Sequence, residues 1–185
     1  MKNLKFLLFS IILILSGCIG HKSISPIDIE TQYDEIAALC FKNTDQLTQL
    51  TEYTGPPYPD RLLETNIFLR AIRQEPYIAT LYQAYILAYY KNDSFRDYNT
   101  GQDSKGNKLD LISLYKEVGN RTGYGSTSYY EEHLIINFSR KYLEAHKNSG
   151  LNINIRGTNG EEQVFMPGYY IAAFLNTVPS GEEGN

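Results

Sequence analysis

The chain has 185 residues, with seventeen Lys and Arg against twenty-one Asp and Glu, a formal charge of −4 and a pI near 5.4. An acidic balance supplies no basic footprint for a phosphate backbone and argues against nucleic acid as a partner; it argues equally against electrostatic adhesion to anionic lipid. With only two cysteines, Cys18 and Cys40, the chain is not a disulfide scaffold, and its apolar core must suffice to hold it folded.

Lys2 and Lys5 open the sequence, an apolar run from Phe6 to Leu15 is broken only by Ser10, and Leu15-Ser16-Gly17-Cys18 follows. A basic start, a short apolar region and small residues before a cleavage point make a secretory signal; the run is shorter than the roughly 20 residues a spanning helix needs. The cysteine directly after Ser-Gly resembles the lipobox of bacterial lipoprotein precursors. That resemblance covers about a tenth of the chain, and no family is recognised for the rest. It implies that the Cys18 thiol is diacylglycerated, the bond before it cut and the new amino group acylated. One acyl chain anchors only marginally, whereas two or three hold firmly. Ile19, where an inner-membrane lipoprotein would carry Asp, resembles the outer-membrane class, with the domain facing the periplasm.

Removing residues 1–17 from 185 leaves 168; seventeen cations less Lys2 and Lys5 leave fifteen against twenty-one acids, a mature charge of −6. Residues 18–26 form a lipidated tether, 27–178 a single globular domain and 179–185 a loose tail. The eight residues 19–26 after the acylated cysteine reach roughly 28 Å when extended, so the domain hangs close to the bilayer.

Along the domain, helical periodicity is the dominant reading. A first helix is predicted over about Ile29–Thr51, with Cys40 as a small buried hydrophobe, and a second from Pro59-Asp60 through Ile72. Tyr77–Tyr90 presents a wide apolar stripe with Ala79, Ala84 and Ala88 beside it and reads as the central helix. Residues 91–108 read as a long polar loop, Leu109–Val118 as a short helix, and Ser128–Lys147 as a helix opened by the Ser128/Glu131 capping box and closed at Gly150. The period then changes to two: Leu151, Ile153 and Ile155 alternate with polar residues, and a strand returns over Glu161–Met166. A two-residue turn at Asn159-Gly160 would set Ile155 opposite Val164, which puts apolar against apolar, whereas a four-residue loop would set it opposite Glu162. Tyr170–Val178 fits a last amphipathic helix. The expected fold class is mainly α, about five helices with a small antiparallel β-hairpin before the C-terminal helix.

Few residues point to chemistry. His133 follows Glu132 without the second histidine of a zinc protease; at the polar edge of a helix it faces solvent. Asp93, Asp97, Asn99, Asp103, Asn107 and Asp110 hint at a calcium loop, but that template fails at Gly101 and Lys108, so neither metal nor cofactor is expected. Arg121, Tyr124, Tyr129 and Tyr130 cluster in sequence and are the residue types that dominate binding hot spots. The function read from the sequence is a membrane-anchored lipoprotein with a non-catalytic, periplasmic protein-binding domain; neutralising an envelope-directed toxin is one concrete task. The rivals are an envelope hydrolase using Glu132 and His133, and a carrier of an apolar ligand.

Overall fold

The computed structural model describes residues 26–59, 65–74, 79–92, 94–119 and 128–180. These residues overturn the expected mainly helical class. They form three helices, α1 (Pro26–Leu39), α2 (Arg140–His146) and α3 (Gly168–Thr177), and ten strands. The strands are β1 (Phe41–Asp45), β2 (Leu50–Thr54), β3 (Asn66–Gln74), β4 (Thr80–Lys91), β5 (Tyr98–Asp103), β6 (Lys108–Leu109), β7 (Leu111–Gly119), β8 (Tyr129–Phe138), β9 (Leu151–Gly157) and β10 (Gly160–Met166). One antiparallel sheet runs β1-β2-β3-β4-β8-β7 and a second β10-β9-β5-β6.

The predicted central helix is β4, paired with β3 on one side and β8 on the other. Tyr82, Ala84, Ile86, Ala88 and Tyr90 face the core, while Tyr85, Leu87 and Tyr89 on the opposite face are also half-buried. A strand apolar on both faces has no visible alternation. Tyrosine and the β-branched residues favour strands, and cross-strand pairing outweighed the helix preference of three alanines. Cross-strand pairing likewise makes the second predicted helix β3, the short one β7, and the first half of Ser128–Lys147 β8. Helix α2 begins only after Ser139, whose hydroxyl accepts from the Tyr142 backbone N–H at 3.1 Å.

The hairpin and the last helix lie where the alternation and the apolar stripe place them, with a corrected register. Gly157 pairs with Gly160 and Ile155 with Glu162, so Thr158 and Asn159 make the turn. Apolar residues still face each other at Ile153/Val164 and Leu151/Met166. Glu162 is drawn away to the Arg96 guanidinium and the Tyr98 hydroxyl, each at 3.0 Å, which compensates for setting a carboxylate opposite Ile155.

One hydrophobic core joins both sheets and the helices, from Ile67, Leu69 and Ile136 on the large sheet to Ile153, Val164 and Met166 on the small one and Tyr170 and Phe174 on α3. The Tyr170 hydroxyl donates to Pro56 O at 2.5 Å and accepts from Leu69 N–H at 3.3 Å, so α3 is fixed to the core face of the large sheet. Arg140 donates to Leu175 O and Val178 O at the end of α3 and to the Tyr82 hydroxyl; a cation is favourable at a helix C-terminus. Cys40 is half-buried against the core, and burial pushes its thiol up.

The expected polar loop at 91–108 holds β5 and β6. Asp103 closes this hairpin, accepting from Lys105 N–H and Asn107 N–H, from the Asn107 side chain and from the Tyr142 hydroxyl. Burial opposes its charge, but the donors led by Asn107 outweigh burial and lower the carboxyl from 3.8 to about 2. A folded value below the unfolded one gives stability that is complete above about pH 4 and lost as pH falls through 2. Asp103→Asn is therefore expected to lower the urea midpoint at pH 6 and to approach wild type between pH 4 and pH 2. A deficit that stays constant across that range would count against this role.

Candidate functional site

Strand alternation decides where the sequence-selected residues point. Successive side chains leave a strand on opposite faces, so Glu132 and His133, neighbours on β8, lie on opposite sides of the large sheet. Glu132 faces the core and is fully buried. Its carboxylate accepts from the Tyr90 hydroxyl, from Asp97 N–H at 3.0 Å and from Tyr98 N–H at 3.2 Å, and Lys116 Nζ lies 3.6 Å away. Asp97, with Glu132 adding to it, holds the Lys116 ammonium in its charged form. Glu132 thus ties β8 of one sheet to the entry of β5 in the other.

His133 faces outward yet is only 6% exposed, contrary to the expectation that it is solvated. Its ring stacks on Tyr115 with centroids 3.7 Å apart. Nε2 meets the Glu131 carboxylate and Nδ1 meets the Tyr85 hydroxyl at 2.5 Å. A carboxylate only accepts, so in the neutral ring Nε2 carries the hydrogen and Nδ1 accepts from Tyr85 O–H. Burial, then the neighbouring Tyr115, pushes Tyr85 up to about 12, which keeps that proton on the phenol.

The outer face of the large sheet is built from cross-strand rows. Phe68, Tyr85, Ile135 and Ile112 form one row, and Asn66, Leu87, His133 and Tyr115 the next. Phe68 stacks on Tyr85 with centroids 4.8 Å apart, and Tyr89 stacks on Tyr129 at 5.3 Å. Such aromatic pairs contribute about 0.5–1.5 kcal/mol each beyond burial. A polar row flanks them: Arg70 donates to Gln83 at 2.7 Å, Gln83 to Asn137 at 2.8 Å and Asn137 to Asp110 at 3.0 Å. Helices α2 and α3 and the small sheet engage the opposite face, through Tyr82, Leu69 and Glu132 respectively. Tyr115 is 51% exposed and Ile112 40%.

Of the sequence-selected partner residues, Arg121 and Tyr124, like the lipidation residue Cys18, lie outside the described residues. Tyr129 is on the outer face against Tyr89, with Lys91 over its ring; Tyr130 is on the core side, stacked on Tyr90 and edge-on to Phe95. The two adjacent tyrosines therefore do not share a surface. Sequence reasoning missed Phe68, Tyr85, Tyr89 and Tyr115, whose shared face follows only from strand register. The one signal for them is the strand preference of tyrosine.

Of the acidic residues of the supposed calcium loop, Asp93 lies outside the described residues and the others serve separate purposes. Asp97 pairs with Lys116, Asp103 closes a turn and Asp110 ends the polar row. Among the described residues no group of His, Cys, Asp and Glu is placed to hold a metal ion. A groove of about 480 Å³ lies between α1 and Pro56-Pro57-Tyr58, and a polar hollow of about 330 Å³ lies on the β9–β10 hairpin; neither borders Glu132, His133 or β4. Among the described residues no helix is long and apolar enough to cross a membrane. No protein-family model matches the chain, and comparison with curated proteins and with solved structures returns no match.

Proposed function

We propose that this chain is a lipid-anchored envelope protein whose domain binds another protein through the outer face of its six-stranded sheet. The supporting observation is the Tyr115–His133–Tyr85–Phe68 strip, a set of stacked and hydrogen-bonded rings partly open to solvent at Tyr115. Rings locked by their neighbours lose little freedom on binding and give contact area at low entropic cost. An open sheet face suits a protein surface better than a small substrate, which is enclosed in a cleft. Blocking a toxin delivered to the envelope remains a task that such a face would serve.

Site-specific photocrosslinking tests the surface. A benzoylphenylalanine at Tyr115 in cells is expected to give a discrete adduct that a second change, Tyr89→Ala, weakens. The same probe at Phe165, exposed on the small sheet, is the comparator; adducts of equal yield at both places, or at neither, contradict the proposal. The anchor rests on the lipobox alone and is tested separately. Cys18→Ser is expected to release the protein from membranes, because the thioether chain no longer attaches, and a variant that sediments with membranes like wild type refutes lipidation at that residue.

A further inference from the structure

The binding face also carries a charge arrangement that points to the chemistry of its partner; this inference rests on the reading just proposed. Glu117 on β7 stands directly opposite Glu131 on β8. Like charges facing each other across a strand pair are unfavourable. Among the described residues neither carboxylate has a Lys or Arg partner: Glu131 meets His133, and Glu117 has no ion pair. Lys91, one pair along, lies over the Tyr129 ring instead. Tyr89 stands opposite Glu131 on its other side, and Tyr115 is the next outward residue along β7. The two carboxylates are thus set among aromatic rings at the border of the apolar rows.

We infer that this face receives a protein segment carrying a lysine or arginine flanked by apolar residues. The cation would sit between Glu117 and Glu131 and the apolar neighbours would lie on Tyr115, Ile112 and Tyr89. Relief of the carboxylate repulsion favours a cation there, and the adjacent ring faces favour it further. The mature charge of −6, from fifteen cations against twenty-one acids, speeds encounter with a basic surface. Strand β7 is an edge, but pairing with an added strand is guarded against by the irregular register at Ser113/Tyr115 and by the inward-pointing Lys116, two known protections of sheet edges. Docking on the face is therefore preferred to docking on the edge.

The test is selection of a random-peptide phage library on the immobilised full chain, followed by titration of selected peptides against variants. Expected are peptides with Lys or Arg beside apolar residues, weakened on the order of tenfold by Glu117→Lys and weakened also by Tyr115→Ala, with Glu161→Lys on the small sheet without effect. Matching thermal midpoints establish that the variants are folded. Peptides that lose binding with Tyr115→Ala but lack a cation and ignore Glu117→Lys would overturn this inference and leave the binding face standing. Peptides indifferent to both variants, an empty selection, or a self-association that Tyr115→Ala dissolves would overturn both.

Discussion

Replacing Glu132 by alanine is expected to lower the unfolding free energy by about 3–5 kcal/mol, because it leaves three hydrogen-bond donors without their acceptor. The Tyr90 hydroxyl and the N–H groups of Asp97 and Tyr98 all point at this carboxylate. Removing it strands three donors in the interior, and each buried unsatisfied group costs about 1–3 kcal/mol. Lys116 is partly open to solvent and keeps Asp97, so no second charge is left without a partner. Glu132→Gln preserves the shape and one acceptor but turns an NH₂ toward a backbone donor, and a loss of about 1–3 kcal/mol is expected. Equilibrium urea unfolding reads both. With a denaturant slope near 2 kcal/mol/M, the alanine variant should shift the midpoint by roughly 2 M. Midpoints that coincide with wild type would show that the network contributes no net stability. The outcome also bears on the proposed function: Glu132→Gln is expected to leave the proposed Tyr115-centred binding intact, because Glu132 is on the far side of the sheet.

That separation of Glu132 from His133 illustrates what the sequence discloses and what it conceals. The residues at 132 and 133 were prominent in the chain, but their relation depends on whether the backbone turns by 100° or by 180° per residue. On a helix they would share a neighbourhood; on β8 they belong to different faces. The hairpin was legible because Leu151, Ile153 and Ile155 alternate with polar residues, the pattern of a strand with one dry face. In β3 the alternation of Ile67, Leu69 and Ala71 with Asn66 and Arg70 was present, but Ile72 and Phe68 on the other face completed a plausible helical stripe. In β4 both faces are apolar and the pattern vanishes. The proposed binding face was illegible for a further reason. Phe68, Tyr85, His133 and Tyr115 meet only through long-range pairing, Tyr85 and His133 being 48 positions apart, and nothing local in the chain specifies that register. The sixteen tyrosines were the available hint, since tyrosine favours the pleated, half-buried surface that these residues make.

Gly157→Ala is expected to cost about 3 kcal/mol, the upper part of the range for overpacking, and its cause lies in the same inter-sheet connection. A Cβ at Gly157 would sit 2.1 Å from the Arg96 carbonyl oxygen and 2.5 Å from the carbonyl carbon and oxygen of Asp97. These are backbone atoms, so no rotamer change makes room. The segment cannot easily retreat: Arg96 O accepts from Asn159 N–H at 3.0 Å, Asp97 has a left-handed φ of 57°, and the N–H of Asp97 is held by Glu132. Pushing this segment away from β9 therefore disturbs the Glu132 contacts on its other side. Gly106 supplies the comparison, because its φ of +82° penalises a side chain while nothing lies within 4 Å of its Cβ position. Gly106→Ala should cost only the conformational term of about 1–2 kcal/mol. If the two alanine variants unfold at the same urea concentration, steric exclusion at Gly157 is not what holds the sheets in place. Combined with Glu132→Gln, Gly157→Ala should fall short of additivity by about 1 kcal/mol, since both changes release the one segment between the sheets; strict additivity would mean that Glu132 and Gly157 stabilise it independently.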